Sequence, residues 1–248
     1  MTTDVYLNSA TATAGRICFY AGYGTGVILT VKNVQIEKKD HATPFVVGYR
    51  SAVWYDLSGN NNNGTLINGV DYSSNNNGYL TFDGTDDYID LGSFFTYQTF
   101  TIDIWVNTGS TQNTYADIFD NNHTGSRNFV CQQIDVNTNL YNFGVMDAAG
   151  TISHTGNFTL SPNVWTNLTF TFTPSDRVKL YVNGYLSASG ALANNRNILY
   201  ESQTLSIGRW GAGGRNWNGN MSNFKVYNKV LSSTEVLQNY KALRRRYI

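Results

Sequence analysis

The sequence predicts an all-β protein, an antiparallel β-sandwich with one short C-terminal helix. Apolar and polar residues alternate with a period of two in several segments, as in residues 100–106 and 168–173. Asn-Gly and Asp-Gly steps separate such segments, and these residues accept the positive φ angles of tight hairpin turns. Short strands joined by turns of this kind are typical of sandwiches and barrels.

Two segments show the strand pattern most clearly. Residues 100–106 predict a strand whose buried face is formed by Phe100, Ile102, Ile104 and Val106. Asp103 then lies on the opposite face of the sheet. Residues 178–186 predict a hairpin, because two alternating runs flank the Asn183-Gly184 step.

The helix is predicted near the end of the chain. Ser232 and Glu235 form a capping-box pattern, in which each side chain bonds to the backbone at the other position. The apolar face of the predicted helix consists of Val236, Leu237, Tyr240 and Leu243. The basic triplet 244–246 suits the negative end of the helix dipole.

A domain boundary is predicted near residue 48. Residues 1–48 form an N-terminal β-strand segment, which is too short to make a sandwich of its own. We therefore expect this segment to pack on the main domain or to pair with another chain. Residues 49–248 form the β-sandwich.

Composition excludes several classes of protein. The 248 residues include 17 basic and 17 acidic side chains, so the formal net charge is zero, which argues against a nucleic-acid or anionic-membrane partner. The chain contains no apolar run long enough to span a membrane, and its first residues lack a signal-peptide pattern. Cys18 and Cys131 are the only cysteines, and their spacing indicates neither a zinc site nor a disulfide framework.

A series of short motifs follows a recognisable order along the chain. The motifs are residues 56–60, 64–66, 80–89, 100–105, 165–168, 180–184, 205–208, 219–222 and 231–240. Their order resembles that of laminin-G-like domains of the concanavalin A-like lectin/glucanase class. The resemblance covers roughly residues 50–245, and it implies a jelly-roll, concanavalin A-like sandwich of two curved antiparallel sheets.

The N-terminal segment has a resemblance of its own. Residues 31–37, followed by residues 42–45, are similar to the last strands of jelly-roll modules in bacteriophage tail and fibre proteins. This resemblance implies a virion structural protein of a tailed phage, made in the host cytoplasm and located on the particle surface or tail. The expected partners are other virion proteins, host-cell surface glycan and further copies of the chain, with a trimer favoured.

The carboxylates of the chain argue against an enzyme. Glycoside hydrolysis by the usual route needs two carboxyl groups across the scissile bond. Glucanases of the resembled class carry Glu, Asp and Glu on alternate positions of one strand, and the matching strand here retains only Asp103. The whole chain has three glutamates, and no GxSxG motif or reactive-cysteine context accompanies its histidines. We therefore predict no catalytic residues.

The sequence predicts no cofactor, but calcium binding stays open as an alternative. Relatives of the resembled class bind Ca²⁺ at the rim of the sandwich through oxygen ligands. The pentraxin-type position is occupied here by residues 207–215, which contain two cations and no acid. The densest acidic cluster is Asp83, Asp86 and Asp87, for which a tight turn is the competing interpretation.

Two segments have the composition of a carbohydrate site, in which aromatic faces stack on sugar rings and amides or guanidinium groups donate hydrogen bonds. The glycine-rich segment 209–218 offers Trp210, Arg215, Asn216 and Trp217. The polar segment 120–128, interpreted as a loop, offers Asn121, His123 and Arg127. The alternative, in which Trp210 and Trp217 pack beneath the loop or at a subunit contact, stays open.

The sequence thus predicts a non-enzymatic, lectin-like structural protein of a phage tail, fibre or capsid appendage. A free carbohydrate-binding lectin, with or without calcium, is the alternative from another class. A glycoside hydrolase relative that has lost its catalytic carboxylates is the third interpretation.

Overall fold

The structure is a computed structural model, and it describes residues 53–123, 126–136, 138–147, 152–174, 176–192 and 203–247. All of them belong to the compact unit Ser51–Ile248; a second unit comprises Met1–Arg50. The N-terminal strands predicted within residues 1–48 lie outside the described residues. Their attachment role therefore stays a prediction.

The described chain folds into strands followed by one helix. The strands are β1 Val53–Trp54, β2 Gly64–Ile67, β3 Asp71–Ser73, β4 Tyr79–Asp83, β5 Tyr88–Asp90, β6 Phe100–Thr108, β7 Asp117–His123, β8 Ser126–Gln133, β9 Leu140–Met146, β10 Ile152–His154, β11 Phe158–Thr159, β12 Trp165–Phe172, β13 Arg177–Val182, β14 Tyr185–Leu192, β15 Leu205–Ile207 and β16 Asn218–Tyr227. Helix α1 spans Ser233–Leu243 and continues into a 3-10 turn at Arg244–Arg246, and a second 3-10 turn occupies Asn75–Asn77.

The strands form two antiparallel sheets, which confirms the predicted sandwich. The nine-stranded sheet has the order β1-β2-β5-β15-β7-β8-β9-β10, with β11 also paired to β9. The seven-stranded sheet has the order β14-β13-β12-β6-β16-β4-β3. Aromatic rings from both sheets meet in the core, where the centroid of Phe119 on β7 lies 5.7 Å from that of Phe170 on β12. No helix in the part of the chain that the structure describes has the length and apolar character needed to cross a membrane.

Strand β6 lies in the middle of the seven-stranded sheet, between β12 and β16. Its predicted inward face is confirmed, since Phe100, Ile102, Ile104 and Val106 are all buried in the main core. Asp103 lies on the opposite face and is also buried. Its carboxylate accepts hydrogen bonds from the Thr169 hydroxyl at 2.7 Å and the Asn167 amide at 3.2 Å, and Lys225 Nζ lies 3.4 Å away.

The predicted hairpin and helix are both present and pack against each other. Asn183 and Gly184 link β13 to β14 with φ angles of 51° and 82°, as the type I′ turn requires. A Cβ atom on Gly184 would lie only 3.0 Å from the Tyr240 side chain of α1, so this position also needs glycine for space. The helix buries Val236 with Leu231 and Tyr181 in a second, smaller core on the outer face of the seven-stranded sheet.

The capping box at the start of α1 generates a pH-dependent prediction. The Ser232 hydroxyl accepts a hydrogen bond from the Glu235 backbone N–H, and the Glu235 carboxylate accepts one from the Ser232 backbone N–H at 2.8 Å. The Lys229 ammonium, 2.7 Å from that carboxylate, and these hydrogen bonds lower the Glu235 pKa from 4.5 to about 2. The contribution of the ionised carboxylate to stability is therefore complete above pH 4.5 and is lost as the pH falls towards 2.

We expect Glu235→Gln to remove this contribution while keeping a side chain that can bond to the Ser232 N–H. Thermal melts at pH 2 to 7 should show the wild type more stable near neutral pH, with the difference disappearing towards pH 2. A constant difference across that range would mean that the Glu235 charge does not contribute to folding.

Candidate functional site

Three chain segments meet at one rim of the sandwich, and each crosses from one sheet to the other. The turn 83–87 joins β4 to β5, the segment 109–116 joins β6 to β7, and the loop 208–217 joins β15 to β16. Asn113 ties them together, because its amide donates to the Gly84 carbonyl at 2.6 Å and to the Asn216 carbonyl at 2.8 Å. The three segments therefore form one connected surface.

Backbone hydrogen bonds fix the shape of the loop 208–217. The Gly213 N–H donates to the Trp210 carbonyl at 2.8 Å, and the Trp210 N–H donates to the Gly214 carbonyl at 3.2 Å. At its base, the Trp217 N–H donates to the Gly208 carbonyl at 2.8 Å. Gly208 is needed there because its φ is 87° and a Cβ atom would lie 2.6 Å from the Phe82 ring. These hydrogen bonds hold the loop together without a ligand.

Tyr115, Trp210 and Arg215 together form what we call the rim site. The Arg215 Cζ atom lies 4.7 Å from the Trp210 ring centroid and 5.3 Å from the Tyr115 ring centroid. Both distances are within the range of cation–π attraction. Tyr115 is 44% exposed, whereas Trp210 and Arg215 are half-buried. The site presents aromatic surface and guanidinium N–H groups side by side.

The prediction that Trp217 faces a ligand is wrong. Its side chain is fully buried in the main core, with its ring edge-on to Phe82 at a centroid distance of 6.0 Å. Trp217 directly precedes β16, so its side chain follows the inward direction of that strand rather than the outward direction of the loop. The Trp217 ring fills part of the sandwich core, which supports the packing interpretation for Trp217.

Asn216 takes part in the site as a structural link. Its amide donates a hydrogen bond to the Thr85 carbonyl, and its own carbonyl accepts from Asn113. These two bonds join the loop 208–217 to the turn 83–87. One N–H of the Asn216 amide is therefore engaged within the protein, and the predicted role of Asn216 as a donor to sugar stays a prediction.

The prediction that residues 120–128 form a loop is wrong for residues 120–123 and 126–128. Residues 120–123 belong to β7 and residues 126–128 belong to β8, and these two strands pair with each other. Asn121 is fully buried; its amide donates to the Gln203 carbonyl at 3.0 Å, and its side-chain oxygen accepts from Asn128 at 2.6 Å. The side chains of His123 and Arg127 lie outside the described residues, so their binding role stays a prediction.

The turn 83–87, which the Asn113 and Asn216 amides link to the loop 208–217, carries three acidic residues. One side-chain oxygen from each of Asp83, Asp86 and Asp87 falls within 4.8 Å of the others. Asp83 accepts from the Thr85 N–H at 2.7 Å, which lowers its pKa, whereas burial raises the pKa of Asp87. Asp87 accepts from the Asp83 N–H at 3.0 Å.

These contacts support the tight-turn interpretation for the acidic cluster. Carboxylate oxygens fit the preference of Ca²⁺ for hard ligands, but two of them already hold the backbone of the turn. Calcium binding stays a prediction, which calorimetric titration with Ca²⁺ tests.

The carboxylate on the strand matched to the glucanase pattern cannot meet a substrate. Asp103 is 1% exposed and is enclosed by Thr169, Asn167 and Lys225. Its surroundings are those of a structural polar group on the outer face of the seven-stranded sheet.

Sequence reasoning missed Tyr115 as a member of the rim site. It is a lone aromatic in a polar segment, and only the fold brings it near Arg215. Arg209 was also missed as a structural residue: its Cζ atom lies 3.3 Å from the Tyr88 ring centroid. A positive φ of 57° at Tyr115 distinguishes it from the other tyrosines in the described ranges, but the sequence carries no signal for that angle.

The fold and the rim site define a lectin-like β-sandwich of the kind that presents binding loops at one end. A family model described as the concanavalin A-like lectin/glucanases superfamily, of the laminin-G type, matches residues 75–237. The match covers more than half of the chain, and the protein therefore belongs to this superfamily.

Solved structures with the same fold include binding domains of botulinum neurotoxins and of a mosquitocidal protein. The botulinum neurotoxin serotype D binding domain has a TM-score of 0.63 at 17% identity, over 76% of this chain and 48% of that one. The binding domain of Paraclostridial Mosquitocidal Protein 1 has a TM-score of 0.60 at 18% identity, over 76% and 49%. The binding domain of botulinum neurotoxin DC in complex with SialylT has a TM-score of 0.61 at 17% identity, over 76% and 48%.

At these identities the likeness shows a shared fold. The protein spans about half the length of the structures that it matches. Each of these neighbours is named as a binding domain. A comparison with curated proteins gives no match.

The two tryptophans of this region should respond differently to truncation. We expect Trp217→Ala to lower the free energy of unfolding by about 3–5 kcal/mol, because it leaves a large cavity in the core. Trp210→Ala should cost about 1 kcal/mol, since its ring is only half-buried. Urea unfolding of both variants measures the difference. Equal losses would contradict the assignment of Trp217 to the core and Trp210 to the surface.

Proposed function

We propose that the protein is a non-enzymatic, glycan-binding attachment module of a tailed-phage virion. The observation that carries the glycan-binding part is the rim site, in which Trp210, Tyr115 and Arg215 lie together on a loop surface held by backbone hydrogen bonds. Sugar rings have apolar C–H faces that pack on aromatic rings and hydroxyl groups that accept from N–H donors. A site with both features suits a carbohydrate.

The hydrogen-bonded shape of the loop suits ligand binding. A rigid site loses little conformational entropy when a ligand binds, which helps a small surface to reach useful affinity. The buried position of Asp103 also removes the one carboxylate that the glucanase pattern would supply. The superfamily match and the likeness to toxin binding domains support a role in recognition.

The virion part of the proposal rests on the N-terminal motifs. Residues 31–37 and 42–45 are similar to the closing strands of phage tail and fibre modules, and a lectin-like domain follows them here. In this arrangement the N-terminal segment would join the particle and form contacts between copies, with a trimer as the expected assembly. The lectin-like domain would then face the host cell.

A glycan array tests the binding part. We expect the full-length protein to bind a subset of glycans and Trp210→Ala to weaken that binding by about tenfold or more, because the variant loses an aromatic face. Tyr185→Ala is the matched control, since Tyr185 is an exposed aromatic residue on β14, at 63% exposure. Binding that survives Trp210→Ala, or that is lost equally in the control, would place the sugar site elsewhere.

Electron microscopy of antibody-labelled particles tests the virion part. We expect the protein to co-purify with assembled phage and the label to lie at the tail, fibre or a capsid appendage. Light scattering of the purified protein should give the mass of an oligomer. A monomer that binds glycans and is absent from particles would instead identify a free lectin.

A further inference from the structure

Backbone angles single out the rim site from the other turns. Nine non-glycine residues in the described ranges have a positive φ, and seven of them are asparagines, which tolerate this conformation well. The other two are Tyr115, at 57°, and Arg215, at 53°. These two residues contact each other across the rim site.

A positive φ is unfavourable for a bulky residue, and glycine would avoid that cost. Gly213 and Gly214 directly precede Arg215, so the loop already contains residues suited to that angle. Backbone strain of this kind concentrates where a side chain is held for a purpose. The side chains of Tyr115 and Arg215 are therefore the features of the site that most need a functional explanation.

The Arg215 side chain has donors available for a ligand. Within the described part of the chain, the guanidinium group makes no hydrogen bond or ion pair with the protein, and its contacts are the Trp210 and Tyr115 rings. The Arg215 backbone carbonyl, by contrast, accepts from the Asp117 N–H at 2.9 Å. The Arg215 backbone is thus held by a hydrogen bond, while the guanidinium N–H groups remain available to a ligand.

The chemistry of a stacked guanidinium favours a carboxylate. Its planar fork matches the two oxygens of a carboxylate, and stacking on aromatic rings orients the fork. The same rings can accept the C–H face of the sugar that carries the acid. The rim site therefore offers one position for a negative charge beside an apolar surface.

The acidic turn 83–87 limits how much negative charge a ligand can bring. Asn216 and Asn113 hold this turn against the loop 208–217. Asp83 and Asp86 on it are exposed, so they would repel a densely charged chain such as a sulfated polymer. A ligand with a single acidic group at Arg215 meets less of that repulsion than a densely charged chain does.

We infer that the rim site recognises a glycan bearing a single carboxylated sugar, with Arg215 binding the carboxylate and the Trp210 and Tyr115 rings contacting the sugar ring. This inference rests on the proposed glycan-binding function and names its ligand class. Sialic acids and uronic acids are the two sources of such a group.

Calorimetry with matched oligosaccharides tests the inference. The probes are sialyl-lactose, a glucuronate-containing disaccharide, lactose and heparin. We expect one of the two carboxylated sugars to bind at least about tenfold more tightly than lactose and heparin, because lactose lacks the carboxylate and the dense charge of heparin is repelled by Asp83 and Asp86. Which of the two binds more tightly distinguishes sialic acid from uronic acid.

Variants at position 215 separate the charge from the backbone. Arg215→Asn should keep the fold, since asparagine accepts a positive φ, and should reduce binding of the carboxylated sugar by about tenfold or more. Arg215→Lys should weaken binding because it replaces the fork with a point charge. Arg245→Gln, which removes an exposed cation from the 3-10 turn after α1, is the matched control and should bind like the wild type.

The outcomes distinguish this inference from the proposed function. Equal affinity for lactose and the carboxylated sugars, or unchanged binding by Arg215→Asn, overturns the carboxylate assignment and leaves glycan binding standing. Tighter binding of heparin than of sialyl-lactose and the glucuronate overturns the single-charge ligand. If the full-length protein binds no sugar on the array or in the calorimeter, both the inference and the proposed function are wrong.

Discussion

The structure depends on burial of β6 on both of its faces. Its inner side chains fill the sandwich core, while Thr101, Asp103 and Trp105 on the outer face hold the C-terminal part of the chain. The Thr101 hydroxyl bonds to the backbone of Lys229 and Leu231, and the Trp105 ring stacks on Tyr240 and Tyr247. A strand buried in this way fixes the sheet, the helix and the positions of the strand ends. The loops at the rim begin and end at these strands, so the strands set the positions of the loop ends.

The rim is organised by amide side chains that bond to backbone groups. Asn113 and Asn216 connect three crossings between the sheets, and Gln112 adds bonds to the backbone of Asn218. Amides serve well here because one group both donates and accepts without carrying charge. The abundance of asparagine in the sequence thus reflects two tasks, which are turns with a positive φ and links between loops.

Much of the fold could be predicted from the sequence, but less of the site. Alternation revealed β6 and the hairpin around Asn183, and the capping box marked the start of α1, because these signals are local. The prediction for Trp217 is wrong because the surrounding glycines are typical of a loop and give no signal that β16 begins at Asn218. Asn121 was misjudged because a strand buried on both faces can contain hydrogen-bonded amides and still look like a polar loop. Tyr115 joins Arg215 only through the fold, so no local pattern identifies it.

The way in which the crossings are joined has a consequence for evolution. Their mutual links run mainly from asparagine and glutamine amides to backbone carbonyl and N–H groups, so they do not depend on the identity of the outward-facing side chains. In the proposed glycan-binding role, mutations at Tyr115, Trp210 or Arg215 would therefore alter the ligand specificity of this surface while the scaffold keeps its geometry. Such a separation would let the proposed binding surface change its specificity without a change of fold.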